Sequence, residues 1–199
     1  MNAQRLTLPE IEISLGCCND ALRALLHSIL LCRALGEVTP RAGTCRTYPT
    51  LSYAICPEAD LEVEKIIERV KKDSERTFVG PDLSRAEIIV SFYEKRERSA
   101  LLGLVSAEEK YFWEHWILPI LINSRPPADI KREESAVRKN ILTIASLVNE
   151  RSDHLPHPPS DAIFPFEIKL TKDAESPTMN DGPWSLARML QQARPPSLS

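Results

Sequence analysis

Apolar and polar residues alternate from Leu6 to Leu15, with Leu6, Leu8, Ile11, Ile13 and Leu15 sharing a side and a slip of phase at Pro9. A period of two predicts a strand with one wet face, and a proline without an N–H places it at a sheet edge or marks a bulge. Gly16 ends it. The period then lengthens to that of a helix, predicted over Asp20 to Leu35, capped by Asn19 and stopped by Gly36. Leu22, Leu25, Leu26, Ile29, Leu30 and Arg33 form its stripe, and Leu31 and Cys32 widen it, so this helix is expected to be buried on more than one side. Thr44 to Cys56 reads as two short strands broken near Pro49. Pro57 opens a second amphipathic helix with Val63, Ile66, Ile67, Val70, Ser74 and Phe78 on one face, and Gly80-Pro81-Asp82 is a turn.

Two longer segments, Arg85 to Glu94 and Tyr111 to Asn123, are rich in β-branched and aromatic residues and predict strands. Between them, Lys95 to Lys110 is charged at both ends around Ala100-Leu101-Leu102-Gly103-Leu104-Val105, the pattern of a projecting hairpin loop with an apolar tip. Ser124 and Pro126 start a third helix that runs to about Glu150. Its main stripe is Ile130, Val137, Ile141, Ile144 and Val148. A mixed face of Lys131, Glu134, Arg138, Leu142, Ala145 and Asn149 lies about a quarter turn away. Prolines then crowd the chain after Arg151, Phe164 to Leu170 reads as one more strand, and Trp184 to Gln192 as a short helix. Runs of strands and helices in this order predict an α+β fold, with three main helices on one face of a mostly antiparallel sheet. The length suits one domain over 1–199, its core about 5–170 and a C-terminal loop and short helix over 171–199.

Composition narrows the function. A formal charge of −3, with Lys and Arg interleaved among acids, does not recommend nucleic acid as partner. The N-terminus leads into an alternating segment and not a signal-peptide core, and no run approaches 18 apolar residues, so no integral membrane segment is expected. Five cysteines without a C-x-x-C fit neither a disulfide framework nor a four-ligand zinc site, and reduced thiols imply a cytoplasmic address. Six scattered glycines form no phosphate-cradling loop. His27, His115, His154 and His157 lack ligand partners nearby in sequence. Cys17-Cys18 before a helix could have a lowered pKa, although a small apolar pair in a turn explains them as well. The expectation is no catalysis, no cofactor and no metal.

One collinear set of segments carries more: E-I-E-I-S-L near the start, A-L-R-A-L-L-H-S-I-L-L-C-R, then Ser91-Phe92-Tyr93-Glu94-Lys95, Trp113-Glu114-His115-Trp116 and the late P-F-E-I-K-L. From about residue 10 to 190 this order resembles the autophagy-related protein 101 family. The resemblance implies a HORMA domain and a non-catalytic adaptor. Such an adaptor pairs with, and stabilises, the HORMA domain of autophagy-related protein 13 in the autophagy-initiation kinase complex. It implies recruitment to the phagophore assembly site. Better-known members also carry a Trp-Phe finger in the loop between the long strands, where this chain has Leu101, Leu102, Leu104 and Val105 and no aromatic residue.

The partner interface is expected at Arg138, Leu142 and Ala145, outward on the third helix, while Val137, Ile141, Ile144 and Val148 face the core. Leu101, Leu102, Leu104 and Val105 are expected as a hairpin-loop contact. Trp113 and Trp116, three apart on a strand, are expected on opposite faces as structural residues. The alternatives are a peptide-capturing HORMA adaptor of the spindle-checkpoint type and a small cysteine enzyme.

Overall fold

The computed structural model describes residues 3–33, 38–77, 83–99, 106–157 and 163–171. Its elements are β1 (Gln4–Thr7), β2 (Ile11–Ser14), a 3-10 turn, α1 (Cys18–Arg33), β3 (Arg41–Thr44), β4 (Ser52–Ile55), a second 3-10 turn at Pro57–Ala59 and α2 (Asp60–Thr77). There follow β5 (Leu83–Ser99), β6 (Ser106–Asn123), α3 (Ile130–Glu150) and β7 (Phe166–Thr171). The main sheet runs β1-β6-β5-β7, with β2 also on β6, while β3 and β4 form a separate hairpin. β5 pairs antiparallel with both β6 and β7, whereas β1 and β2 run parallel to β6. Three helices on a mostly antiparallel sheet make the α+β architecture expected of a HORMA domain.

Proline explains why the first strand is two. β1 stops at Thr7 opposite Ile117 and β2 resumes at Ile11 opposite Ile120, so three residues on one side face two on the other. Leu8 still donates to the Ile117 carbonyl at 2.9 Å, but Pro9 has no N–H to continue the ladder. Pro119 falls in the same interval on β6. The break is a bulge at the sheet edge, with Leu6, Leu8, Ile11 and Ile13 still buried.

α1 lies at the centre. Ala21, Leu22, Ala24, Leu25, Leu26, His27 and Ile29 are all fully buried, as its wide stripe predicts. It starts at Cys18, after the 3-10 turn Leu15–Cys17, so Asn19 lies inside it and is not its cap. Leu15–Arg33 is longer and more apolar than the sequence reading allowed. By length and composition alone it could cross a membrane, and here more than half of it is buried within the fold. Its leucines and isoleucines outweigh Arg23 and His27. Arg23 pairs with Glu64 on α2, and the β3–β4 hairpin covers α1 where the Tyr53 ring stacks 6.1 Å from His27. Within the hairpin, Gly43 leaves room for the ring of its cross-strand partner Tyr53, which a Cβ there would meet at 2.7 Å.

Several boundaries differ from expectation. β5 and β6 extend far into the charged stretch, pairing Ser99 with Ser106, so Lys95–Ser99 and Ser106–Lys110 are strand and not loop. Lys95 bridges to Glu108 at 3.2 Å, and the Arg96 guanidinium lies 4.6 Å over the Tyr111 ring. Cross-strand attraction thus supports residues whose intrinsic strand preference is poor. α3 starts at Ile130, not near Pro126, because the Asp129 side chain caps it by accepting from the Lys131 and Arg132 N–H groups at 3.0 and 3.2 Å. Gly36, Phe78, the Gly80-Pro81-Asp82 turn, the tip residues 100–105 and the expected helix from Trp184 to Gln192 lie outside the described residues.

Candidate functional site

The inner side of α3 is tied down from end to end. Val137 and Ile144 are fully buried, Asn140 nearly so, and Ile141 and Val148 pack half-buried against the core. Ile130 departs from that stripe. As the first helical residue it lies beyond the edge of the core and is 40% exposed.

Two acidic residues fix the helix laterally. Glu133 accepts from the Ser14 N–H at 3.1 Å, the Ser14 hydroxyl at 2.8 Å and the Tyr48 hydroxyl at 2.6 Å. Burial, and then this bond to a carboxylate, pushes the Tyr48 phenol far above its ordinary pKa, so it stays a donor. Glu134 is buried and accepts from the Thr50 hydroxyl and, at 3.2 Å, from Arg138. Arg138 also donates to the Thr50 carbonyl at 2.9 Å. The connection between β3 and β4 therefore lies alongside α3. Glu134, read from the sequence as part of the mixed outer face, points inward instead, because Thr50 and Arg138 compensate its burial.

The outer side is different. Leu142 is 65% exposed, and Arg138 and Ala145, one turn to either side, are exposed too. The Leu142 side chain takes no part in the core, whereas the opposite side of the helix does. The structure brings Arg138, Leu142 and Ala145 together on one surface. Leu101, Leu102, Leu104 and Val105 lie outside the described residues, although the hairpin that carries them is described as far as Ser99 and Ser106.

Trp113 and Trp116 are both buried, on the helix-covered side of the sheet. The expectation of opposite faces fails because of a register shift between Phe92 and Tyr93, which pair with Glu114 and Phe112 and leave Trp113 as an extra residue. The bulge resets the alternation. Trp113 stacks near Phe92, Phe164 and His154, and the Trp116 indole donates to Glu114 at 3.0 Å.

Glu114 centres a buried network that the sequence reading missed. Its Oε2 accepts from Arg33 Nε at 2.8 Å and from Trp116, and its Oε1 lies 3.1 Å from both Arg33 Nη2 and His154 Nε2. Arg33 also donates to the Arg151 carbonyl at 2.9 Å. Arg33 and Glu114 are 1% and 0% exposed. The network joins the end of α1, the middle of β6 and the chain leaving α3. The available signals were a charge on the apolar stripe of α1 and an acid alternating with Trp116 and Leu118 on β6, positions where buried charges with distant partners appear.

The remaining polar groups form no reactive constellation among the described residues. Burial raises the thiol pKa of Cys17, and takes Cys18 to about 12 and Cys45 and Cys56 to about 11, the opposite of nucleophile activation. His27 accepts from the Cys56 N–H at 3.3 Å, and His115 pairs with the Ser91 hydroxyl at 2.8 Å. Burial lowers the pKa of both. Among the described residues, no three His, Cys, Asp or Glu side chains gather where a metal could sit. An open cavity of about 490 Å3 beside Leu15, Lys71, Arg125 and Pro126 has no His, Cys or carboxylate in its wall.

The family model for autophagy-related protein 101 matches residues 10–162. Autophagy-related protein 101 of Arabidopsis thaliana is 27% identical over 201 residues, covering 88% of this chain and 91% of the relative. With the match running from β2 past α3, through the helix that bears Leu142 and the strand that bears Glu114, the chain belongs to the autophagy-related protein 101 family and has its role in autophagy.

Proposed function

We propose that this protein is a non-catalytic adaptor. It pairs with, and stabilises, the HORMA domain of autophagy-related protein 13 within the autophagy-initiation kinase complex. In this reading residues 1–199 form a single HORMA domain that is cytoplasmic and is recruited to the phagophore assembly site. The observation that carries the pairing is Leu142, two-thirds exposed on a helix that is otherwise locked to the core. Burying such a side chain at an interface contributes about 1–2 kcal/mol. Arg138, already held by Thr50 and Glu134, presents its guanidinium beside it without further ordering cost. The apolar tip Leu101, Leu102, Leu104 and Val105 is a second contact in this proposal, directed at later factors.

Isothermal titration of the purified chain with the HORMA domain of autophagy-related protein 13 tests the pairing. Leu142→Asp should weaken binding by about tenfold or more, since it removes apolar contact and adds a desolvated charge, with circular dichroism and melting unchanged. Loss of folding would put Leu142 in the core, and unchanged affinity would remove α3 from the interface. The peptide-capture alternative rests on β7, which ends the sheet with β5 as its one neighbour among the described strands. Tight binding of a candidate peptide, without any binding of the partner domain, would favour it.

A further inference from the structure

α3 sorts its charges by side. From Lys131 to Asn149, Lys131, Arg132, Arg138 and Lys139 are exposed, while Glu133 is half-buried and held by Ser14 and Tyr48, and Glu134 is buried and held by Thr50 and Arg138. At 100° per residue, Lys131, Arg138, Lys139 and Leu142 fall on one side of the helix. Arg138 and Lys139 precede Leu142 by four and three residues, so both flank it directly. Asp129 is occupied with backbone N–H groups, and Glu150, beyond the far end of this stretch, accepts from Ser146. Arg138 is paired with Glu134 at 3.2 Å, so the positive charge beside Leu142 comes from Lys139, with Lys131 and Arg132 nearer the start of the helix, on a chain whose formal charge is −3. Lys131 and Arg132 also occupy the first turn of α3, where the helix dipole favours acidic side chains and disfavours cations. Asp129 as the cap and Glu133 in the same turn offset part of that local cost.

We infer that the outer face of α3 receives an acidic protein surface with an apolar hollow for Leu142. This rests on the pairing proposed above and adds the chemistry of the surface that pairs. Carboxylates opposite Lys131 and Lys139 would steer the partner into place, while Leu142 supplies contact. A second copy of this chain does not fit, because a two-fold contact through α3 sets the same cations against one another.

Stopped-flow association with the HORMA domain of autophagy-related protein 13, at several salt concentrations, tests this on the full chain. The parent should associate more slowly as salt rises. Lys131→Glu with Lys139→Glu should cut the association rate constant about tenfold at low salt and flatten its salt dependence, while dissociation changes little. Both side chains are exposed, and Lys139→Gln alone should give a smaller loss in the same direction. Leu142→Asp separates the two levels of the reading. If it leaves affinity unchanged, the α3 pairing fails. If it weakens binding while the double charge reversal leaves rate and salt slope unaltered, the acidic counter-surface is overturned and the pairing stands. Sedimentation showing a dimer of this chain alone, lost in the Leu142→Asp variant, would also overturn it.

Discussion

Glu114 is a carboxylate without solvent, and its two oxygens meet four donors, which is about what a carboxylate can accept. Removing two charges from water costs several kcal/mol each, so the pair with Arg33 is weak evidence for net stability. Breaking it is another matter, because one buried charge is left uncompensated. Glu114→Gln should therefore destabilise the fold by about 3–5 kcal/mol, measured by urea denaturation. Adding Arg33→Met to it should cost less than the sum of the two single changes. An unchanged urea midpoint for Glu114→Gln would show that the charge is solvated after all. Arg33 was visible in the sequence as a cation among leucines, and Glu114 as an acid alternating with Trp116 and Leu118. Their pairing spans 81 residues of chain, and no local pattern reports it.

At the scale of elements, prolines and charged residues mark where local reading and structure part. Pro9 was legible as an edge or bulge, since the missing N–H has a single consequence for a ladder. Pro126 was misleading: it suits a first helical position, but Asp129 satisfies two orphan N–H groups and so sets the start of α3. The charged arms of the β5–β6 hairpin were read as loop from composition, yet each residue there has a partner on the opposite strand. This longer ladder is an element separate from α3. Changing Leu101, Leu102 and Leu104 together to Ser should leave melting and partner affinity intact, while reducing recruitment of later factors and autophagosome number in cells. Normal autophagosome formation with that variant would end the recruitment role. A lowered melting temperature alone would make the tip part of the core.

For the molecule as a whole, two histidines make stability depend on acid. Burial lowers the pKa of His27 and His115 in the folded state, and Asp60, 3.3 Å from His27 Nε2, offsets this for His27 without reversing it. The unfolded chain then binds more protons wherever pH lies between the ordinary histidine value, about 6.5, and the lowered folded one. Stability is full above that ordinary value and is lost as pH falls towards the folded pKa. Melting temperature should decline from pH 7 to pH 5, and His27→Gln should decline less steeply over the same interval. Equal slopes would show that His27 protonates as readily folded as unfolded.

Periodicity and turn residues were sufficient for the order of strands and helices among the described residues, apart from the split of the first strand, for the burial of α1 on several sides and for the exposure of Leu142. Those properties follow from which side chains share a face of one helix or strand, and spacing along the chain encodes that directly. The collinear segments were sufficient for the family. Other features came from contacts between parts of the chain far apart. Parallel pairing of β1 and β2 with β6, the bulge that turns Trp113 to the side of Trp116, and the inward aim of Glu133 and Glu134 are of this kind. So is the enclosure of Arg33 with Glu114. Each depends on a partner's position, and a carboxylate on a helix surface reads the same whether it meets water or a tyrosine hydroxyl until the fold brings Tyr48 beside it.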